Sequence, residues 1–273
     1  MVRHLQWDIP RRRTIGCVVE IARPRWTYPI LATLAEGDIN PAGVGRKLHE
    51  GVWIDYSHLL GAVSQYGSVN KKLRTLSRDC VAHSEADSSA HGAHVTYGLT
   101  PLGAGLLSSL DALGEWGRVN RDHLVRAIRM RRGLVVNQIS LFTRSSEENV
   151  ALGSALALSV LDHRWGFAIF SHCTDGPIGS GGLLTLVNDD IALRRSPYVA
   201  KQRALPVGSY YDILNWYRLI GLLKRTVVVR RKLPPLVFNS PTPLGEGLLA
   251  ALWEVGEWAV GHEAELFRIF ASR

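Results

Sequence analysis

A nine-residue phrase occurs twice in this chain: Leu99-Thr100-Pro101-Leu102-Gly103-Ala104-Gly105-Leu106-Leu107 returns as Pro241-Thr242-Pro243-Leu244-Gly245-Glu246-Gly247-Leu248-Leu249. Trp116, preceded by Gly114-Glu115, returns as Trp258, preceded by Gly256-Glu257. Upstream, Arg25-Trp26 matches Arg164-Trp165, and Gly67-Ser68 matches Gly208-Ser209. Four landmarks keep their order while the offset drifts only from 139 to 142 residues, so the chain reads as a tandem duplication. The 273 residues must then fold as two versions of one unit, each near the usual domain size of about 100–150 residues. The expected division is 1–132, an N-terminal domain ending in a basic linker helix, and 133–273, a C-terminal domain.

Each copy carries the same succession of patterns. An apolar helix follows the Trp, at 30–34 and again at 167–170, closed by Gly37 or by Asp175-Gly176. A Gly-Ser pair opens an amphipathic helix, with Ser68 and Ser209 as expected N-caps. Its apolar residues are Val69, Leu73 and Leu76 in copy one, and Ile213, Leu214, Tyr217 and Ile220 in copy two. Two strands are expected next, 81–85 and 94–99 around the polar stretch 86–92, then 223–230 and 236–239 around Pro234-Pro235. Thr100-Pro101 and Thr242-Pro243 place a capping hydroxyl before a proline at the first helical position, where a missing N–H is harmless, and open a long amphipathic helix. The expected fold is mainly α with small β-hairpin wings, as two tandem winged helix-turn-helix domains.

Copy one has Trp26-Thr27 opening its first core helix, Leu73-Arg74-Thr75-Leu76 in the presumed recognition helix, Tyr97-Gly98-Leu99-Thr100-Pro101-Leu102-Gly103 after the wing, and a terminal Trp116-Gly117. On these residues the sequence resembles the HxlR-type transcriptional regulators, a branch of the winged-helix superfamily close to the MarR regulators. The resemblance covers residues 17–120 and, in weaker form, 158–262. Copy two keeps Trp165, Gly221-Leu222, Thr242-Pro243-Leu244-Gly245 and Trp258 but lacks the Tyr of the post-wing phrase, and both copies carry extra residues, 38–56 and 179–196, before the recognition helix. The resemblance implies DNA-binding transcriptional control without enzymatic activity. Such regulators dimerise through helices outside the winged unit, so it also implies a dimer fused into one chain, a pseudo-dimer. Cys17 lies near the N-terminal position where many of them carry a redox-sensing Cys; plain packing is the other reading of a lone Cys before a core helix.

Composition narrows the setting. With 46% hydrophobic and 21% charged residues the chain is a folded globular protein rather than a disordered one. The net charge of +8 is uneven: residues 1–140 carry 18 Lys+Arg against 12 Asp+Glu, residues 141–273 carry 14 against 12. Such a surplus suits nucleic acid, an anionic membrane surface or acidic ligands, and equally an ordinary soluble surface. Three cysteines at 17, 80 and 173 cannot build a disulfide framework, which points to a reducing, cytoplasmic compartment. The longest apolar stretch, 151–161, is too short to span a bilayer. Trp7, Asp8 and Arg11-Arg12-Arg13 stand where a signal peptide would be apolar. The protein is expected to be neither secreted nor membrane-spanning.

With Val69, Leu73 and Leu76 turned inward, Asn70, Lys71, Arg74 and Arg78 face outward on the segment 67–78, Lys72 and Thr75 lie near the edges, and Ser68 stands at its start. That supplies Arg for guanine edges, Asn for adenine and Lys for phosphate, so the expected partner is double-stranded DNA. Copy two has Tyr211, Asp212, Asn215 and Trp216 at the matching positions, which would set an acid against phosphate. Its hairpin instead carries Lys224, Arg225, Arg230, Arg231 and Lys232, suited to following phosphates or entering a minor groove. The expectation is unequal half-sites, read by the helix in copy one and by the wing in copy two. A second class of function is a small-molecule-binding or sequestering protein on a repurposed scaffold, with Tyr210, Tyr211, Trp216 and Tyr217 lining a cavity for an aromatic ligand; core packing is the plain reading of the same residues. A small-molecule effector and a homodimer stay open.

Residues 121–132 contain five arginines among Leu124, Val125, Ile128 and Met130, a linker helix or a phosphate-contacting arm. Arg11-Arg12-Arg13 reads as a flexible basic arm or a polar tail. Cys80-x-x-His83 and His91-x-x-His94 have metal-ligand spacing, but strand residues three apart point to opposite faces, so no metal is expected. Gly179-Ser180-Gly181-Gly182 has Ile178 where a nucleophile elbow needs Gly, and no P-loop or dinucleotide fingerprint occurs. No enzyme, cofactor or catalytic residue is expected.

Overall fold

The computed structural model describes residues 7–60, 66–87, 94–131, 146–174, 176–192, 204–231 and 233–271. It is mainly helical, with small antiparallel sheets. Copy one runs α1 (Ile9–Ala22), α2 (Thr27–Leu34), α3 (Pro41–Lys47), α4 (Gly51–Leu60), α5 (Tyr66–Arg78), β1 (Ala82–Asp87), β2 (His94–Leu99), α6 (Pro101–Ser109), α7 (Asp111–Val119) and α8 (Arg121–Arg131). Copy two runs α9 (Ser146–Val160), α10 (Gly166–Ser171), β3 (Ile178–Gly179), α11 (Ser180–Ala192), α12 (Val207–Leu219), β4 (Leu223–Arg230), β5 (Leu233–Pro241), α13 (Pro243–Gly261) and α14 (Glu263–Ala271). Among the described residues no helix is long and apolar enough to cross a membrane.

The chain forms two compact units. The first contains α2 to α7, β1, β2 and α9 as far as Ser159; the second contains α10 to α14, β3 to β5 and α1 as far as Glu20. The division expected at 132/133 follows the repeat, whereas each compact unit takes its leading helix from the other copy. Helix α8 changes unit between Val125 and Arg126, with Leu124, Val125 and Ile128 buried and Met130 exposed.

The repeat is visible in strand register. Ile39 pairs with Tyr97 in an isolated antiparallel bridge, and Ile178 pairs with Asn239, the same two positions shifted by 139 and 142. Helix α3 then starts on an Asn40 cap, whose side chain accepts from the Gly43 N–H at 2.7 Å, with Pro41 at the first helical position. The extra segment 38–56 therefore supplies the bridging Ile39, α3 and the start of α4, and the extra segment 179–196 supplies the second residue of β3 and α11; residues 193–196 lie outside the described residues.

The repeated Thr-Pro-Leu-Gly phrase has a full physical account. Thr100 caps α6 by accepting from the Gly103 N–H at 3.1 Å and donates to the Cys80 carbonyl at 2.7 Å; Thr242 does the same with the Gly245 N–H at 3.2 Å and the Gly221 carbonyl. A Cβ on Gly103 would lie 2.0 Å from the Val81 carbonyl oxygen, and one on Gly245 2.2 Å from that of Leu222, so only glycine lets the helix start pass the strand entry. In copy two the helix continues unbroken as α13, but in copy one the expected long helix breaks at Leu110, whose N–H turns to Leu107 in a tighter i→i+3 bond. Two other expectations shift. Helices α5 and α12 begin two residues before the expected serine caps, so Ser68 and Ser209 are inside their first turns. Strand β5 includes Pro234 and Pro235, because the register slips between Val228 and Arg230 and leaves no ladder N–H for them to supply.

Helices α5 and α12 end alike. The Val81 N–H reaches back to the Leu76 carbonyl at 2.9 Å, and the Leu222 N–H to that of Tyr217 at 2.8 Å, each closing over a left-handed residue. That residue is Gly221 (φ 73°) in copy two but Cys80 (φ 56°) in copy one. A side chain there carries a strain of about 1–2 kcal/mol that glycine avoids. We therefore expect Cys80→Gly to stabilise the protein by about 1 kcal/mol, since part of the relief is offset by the freer unfolded chain. Because the Cys80 side chain is exposed, little packing is lost. An unchanged denaturation midpoint would refute this.

Candidate nucleic-acid interface

Helix α5 buries Val69, Leu73 and Leu76 at 2%, 0% and 1% exposure, and these three fix its rotation. The opposite face then presents Ser68, Lys71, Arg74 and Arg78 to solvent, with Asn70, Lys72 and Thr75 half-buried along the edges. The Thr75 hydroxyl donates to the Lys71 carbonyl at 3.0 Å, a back-bond within its own helix. The Arg78 guanidinium lies 3.9 Å from the buried Asp79 carboxylate. Helix α5 thus offers three exposed cations separated by three and four residues, on one face of one helix.

Helix α12 buries Ile213, Leu214 and Tyr217, with Ile220 buried just past its end, and exposes Tyr211, Asp212 and Asn215. Its last-turn Arg218 points to the sheet, donating to Asn239 Oδ1 at 2.7 Å and to Asn215 Oδ1 at 3.1 Å. Asn239 is buried and donates to Ser180 Oγ at 3.0 Å, tying the first residue of α11 to the hairpin. Burial, and next the nearby Arg225, lowers the Arg218 pKa from its ordinary value.

The two hairpins differ in sign. Residues 82–99 carry Glu85 and Asp87 and no Lys or Arg, whereas residues 223–241 carry Lys224, Arg225, Arg230, Arg231 and Lys232 and no Asp or Glu. Lys224, Arg225 and Arg231 are exposed; Lys232 lies outside the described residues. Arg230 is half-exposed and donates through Nε and Nη2 to the Pro234 carbonyl at 3.2 and 3.0 Å, which braces the hairpin end. The ribbon also exposes Val227, Val228, Val229, Leu233 and Leu236, a feature the charge pattern had hidden.

The aromatic cluster of the second reading splits. Tyr210 and Tyr217 are fully buried and Trp216 nearly so. Tyr210 donates to the Ser180 carbonyl at 2.6 Å, Trp216 Nε1 donates to that of Val160 at 3.2 Å under the Arg131 guanidinium, and Tyr217 packs on Phe170; only Tyr211 faces solvent. These residues make the core of the second unit. An open groove of about 480 Å³ lies instead in the first unit, floored by Leu34, Leu99 and Leu107 and rimmed by Asp38 and Asp111. Burial raises the Asp111 carboxyl pKa from its ordinary value.

The N-terminal arginines form neither a flexible arm nor a polar tail. They lie on α1, where Arg11 stacks 3.7 Å over Trp253 and pairs with Glu257 at 2.9 Å, Arg12 reaches His172 and Thr174, and Arg13 covers Phe267. Their partners lie about 160 to 250 residues away in sequence, so no local pattern reveals them. Cys17 and Cys173 are buried and Cys80 is exposed, and none of the three is in a disulfide; burial pushes the Cys173 thiol up to about 12. His83 pairs with Asp38 at 3.3 Å, His91 lies outside the described residues, and among the described residues no three His, Cys, Asp or Glu side chains gather to hold a metal. No known protein family, curated protein or solved structure matches the chain.

Proposed function

We propose that the protein is a DNA-binding transcriptional regulator, built from two tandem winged helix-turn-helix domains that act as an internal pseudo-dimer. The observation that carries this reading is the α5 face: Lys71, Arg74 and Arg78 exposed on a helix whose other face is locked into the core. A merely solvated face would mix both signs, as exposed helices usually do. The order of elements supports the winged-helix reading, with a short strand and helices before α5 or α12 and a hairpin and a capped helix after it. The pseudo-dimer is supported by the leading helices, since α1 belongs to the unit of copy two and most of α9 to that of copy one, as exchanged arms do in a symmetric dimer.

The complementary signs assign unequal roles. Copy one reads bases with α5 and keeps an acidic hairpin away from phosphate, while copy two presents an acidic helix face and contacts DNA through its basic hairpin. The buried Tyr210, Trp216 and Tyr217 argue against the sequestering alternative, because they leave the aromatic cluster without a lining role. An effector would find room in the Asp38–Asp111 groove.

The test is selection of bound duplexes from a random pool, followed by gel-shift titration over a salt series. A regulator of this design enriches an asymmetric site, and its log affinity falls with log salt at about −0.9 per neutralised phosphate. Enrichment of no sequence over random duplex would remove the reading.

A further inference from the structure

The β4–β5 hairpin has an apolar end that phosphate contacts do not explain. Strand β3 pairs only with Phe238 and Asn239, so among the described residues the ribbon beyond Val227–Val237 has two strands and no cover on either face. Five apolar side chains are exposed there, Val229 at 85%, Leu233 at 57%, Val227 at 45%, Val228 at 44% and Leu236 at 39%. Single exposed apolar residues need no explanation, but five neighbours on one projecting ribbon do. The ribbon is also stiff: β-branched residues fill β4, two prolines fix β5, and Arg230 clamps the Pro234 carbonyl across the end. Little order remains to be lost when it meets a partner.

We propose that this end is a wedge: Val229 and Leu233 enter the minor groove, part-unstack a flexible base step and bend the duplex. The inference rests on the DNA-binding reading and assigns the apolar residues of that same hairpin their partner. A strand advances about 3.3 Å per residue and the minor groove is about 7.5 Å deep, so the outermost two or three residues of each strand reach its floor. Val229 and Leu233 fall in that range, and the exposed Arg231 beside them is long enough to meet a phosphate at the rim while Arg230 holds the hairpin end. Apolar wedges between base steps are a known means of kinking DNA, favoured at pyrimidine–purine steps that unstack readily.

Two other occupants fit the same ribbon less well. A second copy pairing along the β4 edge would set like charges opposite each other, since the ribbon carries five cations and no acid. A lipid surface would have to seat a two-stranded ribbon whose consecutive Val227, Val228 and Val229 point to alternate faces, so no single apolar face can lie flat in its interface.

The test uses the full chain and its selected duplex, labelled at both ends for energy transfer and carrying 2-aminopurine at a TA step under the copy-two half-site. Wild type is expected to bend the duplex by tens of degrees and to brighten the 2-aminopurine. The double variant Val229→Ser, Leu233→Ser, which changes only exposed side chains and whose circular dichroism should match wild type, is expected to halve the bend or more, leave the 2-aminopurine dark and bind about tenfold more weakly. A straight duplex with wild type, or an unchanged bend in the variant, overturns the wedge while leaving DNA binding in place. Failure of wild type to bind any duplex removes the functional reading and the wedge together. Binding to phosphatidylglycerol vesicles that disappears in the variant, with DNA affinity unchanged, also overturns the wedge and assigns the ribbon to a membrane surface.

Discussion

Replacing Lys71 and Arg74 together by alanine should weaken binding to the selected duplex by about 100-fold and flatten its salt dependence by about one unit of slope. The two side chains are exposed, three residues apart, and aimed by the same three buried anchors, so they approach DNA as a pair. A bidentate Arg–guanine contact is worth about 1–3 kcal/mol of discrimination, and a lysine on one phosphate accounts for about 0.9 of the salt slope. Arginine loss should therefore relax preference at one base position, whereas lysine loss should weaken all sequences alike. Neither residue packs in the core, so thermal stability should stay within about 0.5 kcal/mol of wild type. Asp212→Asn on α12 serves as the opposite control: if that face stays off the DNA, affinity should hold or rise slightly. An affinity for the double variant within twofold of wild type would take α5 out of the mechanism and leave the hairpin as the sole contact.

The parts of this molecule written locally were legible in its sequence. Periodicity over 69–78 placed the cations outward because three apolar residues at helical spacing have only one way to face a core. The Thr-Pro-Leu-Gly phrase marked a helix start in both copies, and the geometry adds why its glycine recurs, since a carbonyl oxygen occupies the place of its Cβ. Errors came where a distant residue decides the outcome. Arg11-Arg12-Arg13 looks like a solvated run until Trp253, Glu257, His172 and Phe267 are brought against it. Pro234-Pro235 looks like a turn, but the bulge after Val228 lets both stay in the strand. The aromatic cluster around Tyr210 left lining and packing both open, because ring count does not distinguish a lining from a filling, and burial decides for packing. The exposed valines of β4 were hidden by the cations around them, and only the strand's lack of a covering layer brings them out.

Gly117→Ala should cost the first unit about 3 kcal/mol, a large loss for the addition of one methyl group. A Cβ at Gly117 would stand 2.1 Å from the Gly153 carbonyl oxygen and 2.8 Å from its Cα, so the obstacle is the backbone of α9 itself. Neither helix can yield by a rotamer change. A Cβ on Gly153 would likewise stand 2.1 Å from the Gly114 carbonyl oxygen, and Ser154 Oγ donates to the Leu110 carbonyl at 3.1 Å, so the crossing is held at several points and would have to open as a whole. For a unit of this size the loss corresponds to a fall in Tm of about 6–12 °C. The second copy shows what a wider crossing needs: Ala259 and Thr14 occupy the positions matching Gly117 and Gly153. Gly153→Ala should be similarly harmful, and the two together should cost less than their sum, because once the helices part the second methyl meets space already opened. Gly256→Ala, whose Cβ would meet only the side-chain atoms of Ile15 and Arg11 at 2.8 and 2.9 Å, should cost clearly less. Gly45→Ala, with nothing within 4 Å and a place inside α3, should be neutral or stabilise by up to about 1 kcal/mol. Equal losses at Gly117 and Gly256 would mean that the α7–α9 crossing is no tighter in solution than its counterpart against α1. If the order holds, molecules of Gly117→Ala that remain folded should keep the DNA affinity of wild type, since neither Gly117 nor Gly153 lies on the exposed face of α5.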